Sequence, residues 1–158
     1  MCIRDSLIQR LGLKKLPGEG GYYKETYRSD EMAGDDRNLS TAIYYLITFE
    51  ANSKTHRVSS DEIFHFYFGD PVQLLLLYPT GESRVVVMGD NIPSGQKPQL
   101  IVPKGTWQGA MVVEGDYGYA FMGTTMAPGF EFKDFELGAQ DSLMLRFPQH
   151  ETLIRELT

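Results

Sequence analysis

Two of the chain's three histidines, His56 and His65, fall in one stretch, THRVSSDEIFHFYFGD, which also holds the acidic pair Asp61 and Glu62 and runs into a Gly-Asp-Pro turn. If residues 62–68 form a strand, alternation places Glu62, Phe64, Phe66 and Phe68 on one face and Ile63, His65 and Tyr67 on the other. Glu62 then stands among phenylalanines. Apolar surroundings disfavour the charged carboxylate, raise its pKa and prepare it for general acid or base work. The plainer alternative is that Glu62 pairs with Arg57 or another cation. His65, on the opposite face, is expected between layers or at a subunit contact.

Other segments carry weaker signals. In GGYYKETYR, alternation puts Tyr23, Glu25 and Tyr27 on one strand face, although tyrosines favour strands without any functional reason. In MAPGFEFKDFEL, Glu131 and Asp134 interrupt a phenylalanine pattern, with Phe130 and Phe132 pointing away from Glu131. Glu131 is a candidate to line a pocket and Asp134 to close a turn, and a solvent-facing strand would show the same alternation. Trp107 alternates away from Gln108 and is expected in the core or an interface, though an indole at a rim can stack on a sugar ring.

The elements that must position these residues are mostly strands. Short runs rich in β-branched and aromatic residues recur from Tyr22 to about Phe147: TAIYYLITF, EIFHFYF, VQLLLLY, SRVVVM, QLIVP, AMVV and YGYAFMG. Breaks at GDP, PTGES, GDNIPSGQKP and EGDYG separate them, several as hairpin turns. With no helical pattern between the runs, the expectation is an antiparallel sandwich or barrel. Leu7, Ile8 and Leu11 predict a short opening helix that ends at Gly12, and Leu153, Ile154 and Leu157 predict a closing one.

At 158 residues and 42% hydrophobic content, the chain suits one domain with a full core. A formal net charge of −6 with scattered Lys and Arg argues against a nucleic-acid partner. No apolar run approaches the ~20 residues of a membrane span, and the first residues lack the order of a signal peptide, so a soluble, cytoplasmic protein is expected. The single cysteine, Cys2, excludes an intrachain disulfide and makes a poor nucleophile so near a chain end.

The spacing His56-x-Val58, three residues, Glu62, six residues, Gly69 resembles the first cupin motif, with valine in place of its second histidine. The run Pro103-Lys104-Gly105-Thr106-Trp107-Gln108 resembles the second motif, with Gln108 in place of its histidine. Together with GGYYKETYRS, VPKGTWQGA, MAPGFEFKDFELG and FPQHETLIRELT, these blocks resemble the cupin-5 group (DUF985) from about Leu7 to Thr158. The resemblance implies an all-β double-stranded β-helix, the cupin jelly-roll related to the dTDP-sugar epimerases and storage globulins, with short terminal helices. It implies one domain over residues 7–158 and leaves residues 1–6 as a disordered or non-native tail.

Metal-binding cupins hold a divalent ion with the motif histidines and glutamate. Val58 and Gln108 remove two of those ligands, so no metal or other cofactor is favoured; a bound ion would have His56, Glu62 and Gln108, completed by water. The resemblance also implies that His56, Glu62 and Gln108 converge on the barrel mouth, where a histidine beside a buried carboxylate can transfer protons. The expected function is that of a small-molecule isomerase or epimerase. His56 would be the general base, Glu62 its charge partner or the acid, and Gln108 a group orienting a substrate oxygen. Tyr23, Phe64, Phe66 and Glu131 would line the substrate, a sugar or sugar nucleotide. GGYYKETYR is faintly similar to an early epimerase pattern in the rhamnose pathway. The alternatives are a metal-dependent cupin enzyme and a non-catalytic ligand-binding or storage protein. A homodimer is expected, because related barrels pair and sheet edges need covering.

Overall fold

The computed structural model describes residues 2–34, 36–113 and 115–158. Among the described residues, helix α1 (Ile3–Leu11) leads to eleven strands: β1 (Lys14–Lys15), β2 (Tyr22–Arg28), β3 (Thr41–Thr48), β4 (Ser53–Arg57), β5 (Asp61–Gly69), β6 (Val72–Leu77), β7 (Ser83–Met88), β8 (Gln99–Val102), β9 (Trp107–Val112), β10 (Tyr119–Ala127) and β11 (Glu136–Leu137). Helices α2 (Gln140–Arg146) and α3 (Glu151–Leu157) follow. One sheet runs β1-β2-β3-β10-β5-β8 and the other β11-β4-β9-β6-β7, with every strand pair in them antiparallel. Inside this frame, the orders β3-β10-β5-β8 and β4-β9-β6-β7 are those of a jelly-roll: from β3 to β10 successive strands alternate between sheets except at the β6–β7 hairpin, and β10 returns beside β3. The all-β expectation with terminal helices therefore holds.

Strand β6 shows how the layers are held. Its unbroken apolar run, VQLLLL, is buried on both faces. Leu74 and Leu76 enter the core between the sheets, while Leu75 and Leu77 lie under α2 and α3, against Leu143, Phe147, Ile154 and Leu157. On the other sheet, Leu46, Tyr119 and Phe121 are covered by Leu7, Ile8 and Leu11 of the α1 region. Gly12 ends α1 at φ +66, a left-handed position where a side chain would be strained.

Several expectations need correction. The helix begins at Ile3, so residues 3–6 form its first turn and not a disordered tail; Met1 lies outside the described residues. The strand pattern does not reach Phe147, because Leu143 and Phe147, spaced for a helix face, bury against β6 as part of the α2 region. Of the four turn segments, PTGES makes the β6–β7 hairpin. GDP, GDNIPSGQKP and EGDYG instead carry the chain from one sheet to the other, as jelly-roll winding requires; Glu114 lies outside the described residues. The single face of Glu62, Phe64, Phe66 and Phe68 is broken by a bulge: Phe66 pairs with Met122 and Phe68 with the adjacent Phe121, leaving Tyr67 extra. Phe64 and Phe66 point to the core, whereas Phe68 is turned to the outer face and stacks on Tyr119 and Phe121.

Candidate functional site

One end of the barrel encloses a cavity of about 90 Å³ between the two sheets. The inner sheet faces supply its walls: Tyr23 and Glu25 from β2, Ile43 and Tyr45 from β3, His56 from β4, and Glu62 and Phe64 from β5. A second bulge sets the rim. Glu25 pairs with Ile43 and Tyr27 with the adjacent Ala42, so Thr26 is extra and the alternation shifts by one. Tyr27 is thereby turned out to solvent, contrary to its expected place beside Tyr23 and Glu25, and Arg28 takes the inward position.

The segment after β10 also departs from alternation. Phe132–Asp134 form a turn of 3₁₀ helix, so Phe130, Glu131, Phe132 and Phe135 all face the cavity where alternation sent the phenylalanines away from Glu131. The segment is tied down by Phe130 N–H donating to Thr41 Oγ1 (2.9 Å) and by an ion pair between Asp134 and Arg37. Glu131 reaches Arg28 Nη1 at 3.0 Å.

At the closed end stands a carboxylate that alternation could not locate. Glu19 lies in the turn between β1 and β2, where Leu16 N–H donates to Gly21 O (3.0 Å) and Lys54 N–H to Glu19 O (2.7 Å). Gly20, at φ +100, passes so close to β4 that a Cβ there would lie 2.3 Å from Asn52 O. This close passage sets the Glu19 side chain beside Ser53 Oγ, which donates to Oε1 at 2.9 Å, and beside His56 Nε2, 3.2 Å from the same oxygen. Only 13% of the Glu19 side chain is exposed, and burial pushes its pKa up to about 8. Tyr45, fully buried, donates its hydroxyl to Gly20 O at 2.8 Å and backs the turn.

The tautomer of His56 follows from its neighbours. Nδ1 is 2.7 Å from Lys54 O, and a carbonyl can only accept, so Nδ1 carries a proton. Nε2 lies 3.2 Å from Glu19 Oε1, within ion-pair range. Burial lowers the His56 pKa and raises that of Glu19, and both shifts favour the neutral form. Phe135 stacks on the imidazole with centroids 5.1 Å apart. With Nδ1 held by Lys54 O, Nε2 beside Glu19 is the nitrogen left to act on a ligand.

Glu62 is 8% exposed, and its pKa is raised by burial first and by Glu19 second. Gln108 does not line the cavity. It is buried behind Glu62 and donates Nε2–H to Glu62 Oε1 at 2.9 Å, so its amide holds the carboxylate and not a substrate oxygen. Arg57 pairs with Glu136 at 2.8 Å and sits over the Trp107 ring, leaving Glu62 without that cation. Phe66 packs in the core and does not line the cavity; Tyr23, Phe64 and Glu131 do. His65 lies outside the site, 3.0 Å from Thr125 Oγ1. Sequence reasoning missed Glu19, Arg28, Tyr45 and Phe135. The glycines around Glu19 in LPGEGGYY were the one local sign that its turn makes a close approach.

The donor set does not suit a divalent metal. Val58 is a buried hydrocarbon in the cavity wall, the Gln108 amide is turned to Glu62, and His56 has only Nε2 to offer. Among the described residues no group of three or more His, Cys, Asp or Glu side chains is arranged to hold an ion. No helix among them is long and apolar enough to cross a membrane.

Residues 5–138 match the family described as Cupin superfamily (DUF985). The uncharacterized protein YML079W of Saccharomyces cerevisiae is 30% identical over 135 residues, 73% of this chain and 66% of the yeast protein, just under two thirds of its length. Two solved structures share the whole fold. A hypothetical protein from Leishmania major superposes with TM-score 0.89 at 34% identity, covering 98% of this chain and 97% of its own. Protein SO0799 from Shewanella oneidensis does so with TM-score 0.91 at 33% identity, covering 100% and 98%. Oxalate decarboxylase from Bacillus subtilis, at 12% identity and TM-score 0.57 over 92% of this chain and 37% of that one, shares the fold alone.

Proposed function

Because the chain belongs to the Cupin superfamily (DUF985) family, in which the barrel mouth is the natural place for a ligand, we propose that it is a small-molecule enzyme of the isomerase or epimerase type. The observation that carries this reading is the buried pair His56 and Glu19, with Nε2 3.2 Å from Oε1, in the wall of a cavity that also holds Glu62. Two titrating centres in one apolar pocket, their pKa values displaced by burial, are what proton removal and return next to a carbonyl require.

The roles differ from those suggested by the motif alone. Glu62, its Oε1 held by Gln108, is the group free to take a proton from carbon. The C–H electron pair moves into an enolate, and the proton that Glu19 holds is delivered to the developing oxyanion. In isomerisation Glu62 then gives its proton to the neighbouring carbon while the hydroxyl on the original carbon returns one to Glu19; in epimerisation water protonates the same carbon from the other face, the enol proton returns to Glu19, and Glu62 loses its proton to solvent. Phe64, Phe132 and Phe135 supply apolar surface, which supports a sugar-sized carbonyl compound as substrate.

The test is exchange of carbon-bound hydrogen in D2O, followed by proton NMR over a panel of aldoses, ketoses and 2-hydroxycarbonyl compounds. Wild type is expected to exchange at least one of them. Glu62→Gln should slow exchange by roughly 10²–10⁴-fold with little change in KM. A panel member that binds the cavity without exchange, or exchange that survives Glu62→Gln, would make the pocket a carrier site and end the catalytic reading.

A further inference from the structure

We infer that the barrel mouth admits neutral or cationic molecules and turns away anions, because Arg28, the one arginine or lysine among its described lining residues, is consumed by its own neighbours. This inference rests on the reading that the mouth is the binding site, and it narrows the ligand to an uncharged or positively charged sugar-like compound, without phosphate or carboxylate inside the mouth.

The charged groups lining the cavity are Glu19, Glu25, Arg28, Glu62 and Glu131, with His56 beside them; among the described residues no lysine joins them. An anion-binding pocket in a cupin mouth would be expected to present an arginine fork to the ligand. Arg28 stands in the right place, yet every donor it owns is taken. A guanidinium has five N–H groups. Nε donates to Glu25 Oε1 at 2.6 Å, Nη1 to Asn38 Oδ1 at 2.7 Å and to Glu131 Oε1 at 3.0 Å, and Nη2 to Phe130 O at 3.0 Å and to Glu25 Oε2 at 3.4 Å. Five donors meet five acceptors, so none is left for a ligand.

Charge gives the same answer as hydrogen bonding. Arg28 is answered by two carboxylates, so the rim cluster carries one net negative charge before Glu62 is counted. The other cations of this segment, Arg37 and Lys133, are engaged with Asp134 and Asp36. An incoming phosphate or carboxylate meets repulsion and would have to displace Glu25 or Glu131 from Arg28. A neutral polyol meets carboxylate acceptors and aromatic faces, and an amino sugar gains attraction besides.

The experiment needs no turnover. Paramagnetic relaxation of backbone amides around the mouth is measured with three small nitroxides, cationic, neutral and anionic, at low ionic strength, and inorganic phosphate is titrated in parallel by amide chemical shift. In wild type the cationic probe should relax the amides of Glu25, Thr124 and Phe132 about tenfold more than the anionic one, as expected for a net charge roughly 5 Å away in water. Phosphate should leave those amides unmoved. In Glu25→Gln/Glu131→Gln two negative charges are removed and Arg28 regains a free donor, so the probe ratio should fall to about one and phosphate shifts should appear. A wild-type ratio near one or below it, or phosphate binding at the wild-type mouth, would overturn the inference. Failure of the hydrogen-exchange assay would not move either readout, so the two readings fail separately.

Discussion

Replacing Glu19 by Gln tests the buried proton directly. Gln keeps the shape of the side chain and its Oε1 can still accept from Ser53 Oγ, so the turn should survive. What it removes is a titrating group. In the folded protein Glu19 has a pKa of about 8, against 4.5 for the ordinary side chain. A raised carboxyl pKa means that the folded state keeps a proton the unfolded state has released, so stability falls as pH rises from 4.5 to 8 and then levels off. His56, whose folded pKa is lowered from 6.5, works in the opposite direction: its contribution is lost as pH falls below 6.5. The two slopes offset each other just below 6.5 and leave Glu19 alone between 6.5 and 8. At about 1.4 kcal/mol per pH unit, that window of roughly 1.5 units costs the wild type about 2 kcal/mol.

The assay is urea unfolding of wild type and Glu19→Gln at fixed ionic strength from pH 6 to 9, taking the difference at each pH so that titrations common to both cancel. The stability of Glu19→Gln relative to wild type should rise by about 2 kcal/mol across the window and then stay flat. A difference that does not change between pH 6.5 and 8 would mean that Glu19 ionises as an ordinary surface carboxylate, and its role as the buried acid would go with it.

Gly20→Ala should destabilise by roughly 2–3 kcal/mol in urea unfolding, because the residue sits at φ +100 and its Cβ would meet Asn52 O at 2.3 Å. It should also weaken the pH dependence just described as Glu19 moves off His56. Phe147→Ala, at a fully buried position under the closing helices, should cost about 3–5 kcal/mol by the same method while leaving the cavity's affinity for any ligand nearly unchanged. Asp70 is 2% exposed and accepts from the N–H groups of Tyr117 and Gly118, the latter at 2.6 Å. Asp70→Asn should therefore lose about 1.5–3 kcal/mol and lower the thermal midpoint; a change within measurement error would show that the turn before β10 holds without that carboxylate.

The strand pattern, the positions of the breaks between strands and the terminal helix signals are local properties of the chain, and they were legible in it; which breaks change sheets was not. Alternating and continuous apolar runs report burial on one face or two, and residues such as Gly69, Pro71 and Gly81 carry their turn preferences wherever they occur. The motif spacing likewise pointed to His56 and Glu62 as cavity residues, and both line the cavity. What alternation alone could not supply is where it breaks. One extra residue at Thr26 turns Tyr27 outward and Arg28 inward, and one at Tyr67 moves Phe68 from the core face to the outer face, because a strand's side-chain period is two and a single insertion inverts all that follows. Glu19 and Gln108 were decided only by tertiary structure. Glu19 precedes His56 by 37 positions and meets it because the Gly20 turn presses against β4; Gln108 meets Glu62 across two different sheets. Their burial, and hence the displaced pKa values that give the cavity its acid–base character, belongs to contacts between distant segments, which no local window of residues contains.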